Sequence, residues 1–360
     1  LIAIFDADFI PDPDFLLETV AEFRDEKVGV VQTHWGHLNK DHSLLTKLQA
    51  FGLDGHFSIE QHGRNSGGHF INFNGTAGVW RKACIKDAGG WEDDTLTEDL
   101  DLSYRAQLKG WKFVYLEKVE SPAELPITMA GLKSQQHRWM KGGAECFQKN
   151  AKRISTSKLA RPIDKLFGYM HLFNSSIFIV ILIFGSIGVP LINILKDKPE
   201  LGFIGLIVSW VVMLTLYSFY LISYREHNQF KWFHLPLYTL RFFQFLSIST
   251  GLSLNNTIAS IEGHLGIKSS FVRTPKFNIN THSKFKGNNY HQGKVNLQLI
   301  LEGLLAIVFW CVVIGFAITG NYRLAISYCL LSFGFSYVFG YSLYELITVK
   351  RSPVYESATA

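Results

Sequence analysis

Leu1-Ile2-Ala3-Ile4-Phe5-Asp6-Ala7-Asp8 is an apolar run of the length a buried strand needs, and it ends in two carboxylates one residue apart. Val28-Gly29-Val30-Val31-Gln32 reads as a second buried strand, and residues 14–26 between them read as a helix. A strand, a helix and a parallel strand make the unit of an open α/β sheet, where ligands collect beyond the carboxyl ends of the strands. Asp6 and Asp8 stand at such an end. Two carboxylates at that spacing approach one hard divalent cation through oxygen, and such an ion usually keeps waters and substrate phosphates as its other ligands. The chemistry suggested is a metal-bound diphosphate, although a lone Asp-x-Asp is more often a turn or cap.

Two further clusters follow. Glu92-Asp93-Asp94 and Thr97-Glu98-Asp99 precede Leu100-Asp101-Leu102-Ser103-Tyr104-Arg105, a predicted helix running to Gly110. Thr97 is its expected cap, and acids in the first turn suit the helix dipole, which is expected to keep Asp99 ionised. Asp101 and Arg105 read as an i,i+4 pair. An ionised Asp99 accepts a proton from a hydroxyl nucleophile. Farther on, Gln135-Gln136-His137-Arg138-Trp139 places Gln135, Arg138 and Trp139 on one helix face. That face offers an amide, a guanidinium suited to phosphate oxygens and a flat ring for stacking on a sugar. The competing reading makes Arg138 and Trp139 interfacial anchors ahead of a membrane segment.

Composition separates two solvents along the chain. Of 360 residues, 48% are hydrophobic and only 18% charged, with mean hydropathy +0.12, which is too apolar for an ordinary soluble enzyme. Residues 172–195 and 201–224 hold no Asp, Glu, Lys or Arg, and about 20 apolar residues suffice to cross a bilayer core. Residues 299–319 and 324–347 make a second pair, with Glu302 near one end. Lys196-Asp197-Lys198-Pro199-Glu200 joins the first pair as a hairpin. From 225 to 296 nine Lys or Arg face only Glu226 and Glu262, an excess that marks the cytoplasmic side. The aromatic stretch 233–257 carries His234, Pro236, Arg241 and Gln244, and it is expected to lie along the interface or re-enter the membrane rather than span it. Cys84, Cys146, Cys311 and Cys329 show no paired spacing, so neither a disulfide framework nor a zinc site is expected.

In this order and spacing, Asp6-Ala7-Asp8, Phe73-Asn74-Gly75-Thr76, Thr97-Glu98-Asp99, the Gln135–Trp139 pentad and the paired spans resemble the processive, membrane-integrated family 2 glycosyltransferases, such as cellulose, hyaluronan and chitin synthases. The resemblance implies an α/β fold, a partial GT-A-like (Rossmann-like) domain followed by an α-helical transmembrane bundle. It implies that Asp6 and Asp8 hold Mg²⁺ or Mn²⁺ on a nucleotide diphosphate, and that Asp99 is the general base. It further implies that Gln135 and Arg138 face the diphosphate, while Trp139, Gly75, Thr76 and Glu98 lie beside the acceptor. Phe271-Val272-Arg273-Thr274-Pro275-Lys276 is similar to the gating loop of cellulose synthases, with Phe271, Thr274 and Lys276 agreeing and Arg273 standing where Val is usual. That match assigns Phe271, Thr274 and Lys276 to the nucleotide.

The organisation expected is a cytoplasmic glycosyltransferase portion over 1–160, a linker and first hairpin over 161–224, and a cytoplasmic interfacial and loop region over 225–296. A second hairpin over 297–349 and a tail over 350–360 complete it. Because Leu1 sits in mid-strand, the chain reads as a fragment lacking the family's first strands and a base-contacting Asp, and it is expected to bind donor poorly by itself. The implied reaction is inverting transfer from a nucleotide-diphosphate sugar, UDP-glucose first and UDP-N-acetylglucosamine or GDP-mannose behind it, to a growing β-linked polysaccharide. Partners would be the donor, a polysaccharide or lipid acceptor and membrane lipids, with no nucleic acid, in an inner or plasma membrane. The alternatives are a ceramide-type lipid glycosyltransferase and, more remotely, a transporter or structural membrane protein. Uncharged first spans argue against a transport site.

Overall fold

A mixed four-stranded sheet carries the first part of the chain, in the order β1 (Ile2–Ile4), β3 (Gly78–Trp80), β2 (Val28–His37), β4 (Lys112–Ala123). The computed structural model describes residues 1–195, 199–277 and 295–350. The expected hairpin at 196–198, the basic residues Lys284, Lys286 and Lys294, and the tail from 351 lie outside the described residues.

The first two strands have the parallel sense read from sequence without being neighbours in the sheet. They point the same way, but β3 lies antiparallel between them, pairing Val79 with both Ala3 and Val31. The reason is burial. Val79 and Trp80 are almost wholly inaccessible, and a short strand so apolar is worth most in the middle of a sheet, bonded on both edges. Trp80 meets Phe73, Trp91 and Phe113 edge-on, each at a 5.5 Å centroid distance, which anchors the core on one face of the sheet. The helix after β1 is also shorter than expected: α1 spans Phe15–Val20 and tightens into a 3₁₀ turn at Ala21–Arg24. On the strand side of β2, β4 pairs in parallel.

Around this sheet lie α2 (Leu44–Gly55), α3 (His62–Ser66), α4 (Lys82–Asp87), α5 (Glu98–Leu108), α6 (Met129–Thr156) and α7 (Pro162–Phe173). The chain divides into two compact units. The first takes Leu1–Ile127, Ser134–Ser176 and the described part of Ile258–Lys284. The second takes Thr128–Lys133, Ile177–Thr257 and the described residues after Phe285. Its helices are α8 (Ile177–Leu195), α9 (Pro199–His227), α10 (Leu235–Gly251), the start of α11 (Ser253–His264), α12 (Leu297–Ile318) and α13 (Tyr322–Lys350).

Among the described residues, four stretches are long and apolar enough to cross a membrane: Pro162–Pro190, Glu200–His227, Leu297–Ile318 and Tyr322–Thr348. This is an integral membrane protein. α10 is not among the four; its 17 residues reach only about 26 Å at 1.5 Å per residue, short of a bilayer core of about 30 Å. It packs instead on α13 through facing glycines. A β-carbon on Gly334 would overlap the carbonyl of Ser247, and one on Gly251 would overlap the backbone of Gly334. Such backbone proximity is the usual basis of helix association in lipid, where burial of apolar surface gives no drive. Gly334→Ala is therefore expected to cost about 1–3 kcal/mol through forced separation. A lowered unfolding midpoint of the detergent-solubilised chain checks it, and an unchanged midpoint refutes the contact.

The second unit also buries a polar cluster. Lys133 Nζ lies 2.6 Å from Glu302 Oε2 and donates to Ser342 at 2.9 Å. Gln298 joins Glu302 to Asn255, and Asn255 donates to the Lys133 carbonyl. Glu345 accepts from the backbone N–H groups of Met129 and Ala130, satisfying two donors that the first turn of α6 leaves open.

Candidate active site

All the sequence-selected site residues fall in the first unit, except that nothing beyond residue 277 of the basic loop is described. β1 ends just before Asp6, whose backbone N–H donates to Thr76 Oγ1 at 2.8 Å. That bond joins the Asp6-Ala7-Asp8 turn to the irregular Phe73-Asn74-Gly75-Thr76 segment, which leads into β3. Buried Gln32 holds the segment from behind. Its Nε2 donates to the carbonyls of Thr76 and Ala77, while its Oε1 accepts from the Asn74 N–H. Those bonds keep Ala77 at φ 56°, a left-handed conformation that a residue with a β-carbon rarely adopts.

Gly75, at φ +83°, lies beside the candidate base. A β-carbon there would meet Asp99 Oδ2 at 3.4 Å. Asp99 sits in the first turn of α5. Thr97 occupies the N-cap position without a side-chain cap bond, because its hydroxyl faces Cys146 Sγ at 3.4 Å on α6 instead. α6 comes close enough that a β-carbon on Gly142 would meet Thr97 at 2.5 Å. Ser103 then ties α5 to the glycine segment, accepting from Phe73 N–H and donating to the Asp99 carbonyl.

The electrostatics differ from the expectation of an ordinary ionised Asp99. Loss of water, then the charges of Glu98 and Asp6, push its carboxyl up to about 7, against the lowering effect of backbone N–H groups at the helix start. Asp6 is raised too, by desolvation first and by Asp8 second, with Lys276, Arg138 and Arg273 pulling the other way. Burial lowers the Arg138 guanidinium, opposed by Asp6, Glu98 and Asp99. Asp6, Glu98 and Asp99 thus act on the charge of Arg138, and Arg138 on that of Asp6.

Arg138 donates from Nη2 to Thr274 Oγ1 at 2.9 Å, and its guanidinium lies 4.6 Å from the Phe271 ring centre. Its Nε is buried without a hydrogen-bond partner. Gln135 and Trp139 flank it on the same helix, both partly exposed. Lys276 Nζ lies 2.6 Å from Asp8 Oδ2 as an ion contact; that oxygen is buried and has no aligned hydrogen bond. A buried donor or acceptor without a hydrogen bond is costly unless something else takes it. The Asp pair also fits a cation, because a cationic ammonium is already seated on Asp8.

Sequence reasoning missed several residues that build the site. Gln32 and Ser103 carry no motif. Glu124, at the end of β4, accepts from the Phe277 N–H with both carboxylate oxygens, at 3.1 and 3.2 Å, and its carbonyl accepts from Lys276. Asp101 and Arg105 form the expected i,i+4 pair, but fully buried, and Asp101 accepts from Lys149 and Asn150 as well and so binds α5 to α6. Lys149 also reaches Glu92 and Asp94, so this acidic knot is centred on an ammonium. Lys141 is buried on Glu262 and Ser269, fastening the start of the loop to α6.

Comparison with known proteins then decides the family. A family profile described as glycosyl transferase family group 2 matches residues 1–225, well over half of the chain. The chain belongs to that family. It is similar to glucomannan 4-beta-mannosyltransferase 1 of Oryza sativa subsp. japonica, at 48% identity over 158 residues, 44% of this chain and 30% of the relative. It is similar also to glucomannan 4-beta-mannosyltransferase 1 of Cyamopsis tetragonoloba, at 47% over 166 residues, 46% and 32% respectively. The Arabidopsis thaliana glucomannan 4-beta-mannosyltransferase 9 is 48% identical over 158 residues, 44% of this chain and 30% of its own length. The matched part spans about a third of each of these relatives. Divalent metal dependence is typical of the family, in keeping with the fit at Asp6 and Asp8.

Proposed function

We propose that this chain carries the catalytic groups of an inverting hexosyltransferase that extends a β-linked polysaccharide from a nucleotide-diphosphate sugar on the cytosolic face of its membrane. The names of the relatives favour a mannosyl donor, GDP-mannose, over the UDP-glucose placed first from sequence. The observation that carries the reading is the common field of Asp6, Asp99 and Arg138, with a buried Arg138 Nε that makes no hydrogen bond.

Mg²⁺ or Mn²⁺ held by Asp6 and Asp8 would offset the charge of the diphosphate. Arg138 presents a planar donor to the phosphate oxygens that gain charge as the glycosidic bond breaks. Asp99 takes the proton of the acceptor hydroxyl as that oxygen bonds to the anomeric carbon from the face opposite the diphosphate. One C–O bond forms and one breaks, an α-linked donor gives a β-linked product, and no covalent enzyme intermediate is needed. Gly75 leaves room for the hydroxyl beside Asp99 Oδ2, Glu98 keeps the base weakly acidic, and Trp139 offers a ring for the acceptor sugar. Gln135 faces the diphosphate from the same helix, and Phe271, Thr274 and Lys276 approach it from the loop.

Incubating membranes that hold the chain with radiolabelled GDP-mannose or UDP-glucose, plus Mn²⁺, tests the reading. Incorporation from GDP-mannose into a long β-1,4-linked product is expected. A single-sugar lipid product would turn the reading to the lipid transferase, and no transfer from either donor under conditions of proper folding would defeat it.

The same site sets a pH dependence. Asp99 is raised to about 7, so the folded protein holds its proton well above the ordinary carboxylate range, and only the ionised form accepts the hydroxyl proton. kcat/KM is thus expected to fall about tenfold per pH unit below 7 and to level off above it. Glu98 and Asp6 raise this limb and Arg138 restrains it, so Glu98→Gln is expected to move it to lower pH. A profile flat from pH 5.5 to 8 would refute the assignment.

A further inference from the structure

The chain turns back between α9 and α10, and the charges around that turn are one-sided. Residues 225–257 hold Arg225, Lys231 and Arg241 against a single acid, Glu226. Glu226 directly follows Arg225 on α9, and successive residues of a helix do not face each other. Among the described residues none of the three cations is paired with a carboxylate. The two guanidinium groups rest on rings instead. That of Arg241 lies 5.9 Å from the Tyr224 ring centre, with Nη1 donating to the Tyr224 hydroxyl at 3.4 Å. That of Arg225 lies 5.9 Å from the Phe230 ring centre. Tyr224 and Phe230 meet edge-on with their centres 6.2 Å apart, so both cations stand on adjoining rings.

A ring face steadies a guanidinium without using the N–H groups at its edge, and those are the groups that grip phosphate oxygens. The place is a lipid surface. α9 belongs to a stretch apolar enough to cross a membrane, and the basic excess marks its Arg225 end as cytosolic. Next to it the 3₁₀ turn Trp232–His234 leaves Trp232 74% and Phe233 72% exposed, two rings suited to the boundary of headgroups and acyl chains. Arg241 is six residues into α10, about 9 Å along its axis. Helical side chains tilt toward the N-terminal end, and the long arginine stem carries its charge the rest of the way to headgroup level. Positive-inside bias accounts for Arg225 and Lys231 as flanking charges. It does not account for Arg241, an ionisable group inside an apolar aromatic helix, where such a group is costly unless something takes its charge.

We infer that Arg225, Lys231 and Arg241 bind the phosphate of an anionic phospholipid in the cytosolic leaflet, with Trp232 and Phe233 seated beside its acyl chains. The inference rests on the orientation of the spans and is independent of the catalytic reading. The exposed rings decide for a lipid over a soluble phosphate or an acidic peptide, because they gain only from a ligand that brings hydrocarbon with its charge.

The test offers the full chain in detergent equal amounts of phosphatidylcholine and phosphatidylinositol phosphate, and counts the retained lipids by native mass spectrometry. Preference for the anionic lipid is expected. A cation at a membrane surface is worth about fivefold in binding, so Arg225→Gln and Arg241→Gln should each weaken retention by about that factor. Arg241→Lys should lose nearly as much, because an ammonium keeps the charge without the fork. Lys152→Gln, which removes one exposed charge from α6, should leave the preference unchanged. Equal retention of the two lipids overturns the site, as does full preference in both glutamine variants. A loss in Lys152→Gln as large as in Arg241→Gln overturns it too, since the attraction is then one of total charge. Displacement by inorganic phosphate or polyglutamate at the lipid's own concentration does the same, and assigns the cations to a soluble anion or a protein. Arg225 is exposed at the end of α9, so its variant carries the test if Arg241→Gln does not fold.

Discussion

Asp99→Asn is expected to lower sugar transfer by about 100- to 10,000-fold, the range that a positioned general base contributes, while leaving Mn²⁺ and GDP binding in place. The substitution is nearly isosteric. An amide oxygen still accepts from the N–H groups at the start of α5, so the helix and the Ser103 bridge to Phe73 remain. What disappears is the proton acceptor. The site favours that role for a physical reason: burial with Glu98 and Asp6 nearby raises the carboxyl to about 7, strong enough as a base for a hydroxyl losing its proton and still ionised near neutrality. Single-turnover transfer from labelled GDP-mannose, beside GDP binding to the same preparation, separates the chemical step from donor capture. Transfer within threefold of wild type, with GDP bound normally, would remove Asp99 from the chemistry. Loss of both together would mean that the variant has disturbed the site rather than the base.

Arg138→Lys should cost about 100- to 1,000-fold in kcat, the usual consequence of deleting one preorganised donor to a charge that develops in the transition state. The charge is retained, so the loss reports geometry. A lysine has no planar fork, and it cannot reach Thr274 with one nitrogen while presenting another, unspent, toward the phosphates. It also gives up the flat contact with Phe271. Retention of more than half of the wild-type rate would favour the plainer reading of Arg138 as an anchor near the membrane. Far-ultraviolet dichroism of the variant should match wild type, because Arg138 is not what holds α6: that helix is tied to α5 through Asp101, Lys149 and Asn150.

The general lines of this site were legible before any coordinates. Apolar runs ending in acids announce strand ends, uncharged stretches announce lipid, and a pentad at helical spacing puts Arg138 and Trp139 on one face. These are local properties, carried by neighbouring residues and by the periods of helix and strand. The errors have local causes as well. Thr97 looked like a cap because its type favours that role, but α6 passes so close at Gly142 that the hydroxyl turns to Cys146. Nothing in β1 or β2 says that three residues some 45 positions later will insert between them.

By itself, the order of residues determined which groups carry chemistry, which segments are apolar enough for a membrane, and where helices and strands begin, because each depends on short-range spacing and composition. Only the tertiary structure decided that Asp99 is a weak acid rather than an ordinary carboxylate, that Gln32 and Ser103 brace the glycine segment, and that Glu124 receives the loop. Burial and charge proximity come from parts of the chain distant in sequence; they appear only when folding removes water and brings those parts together.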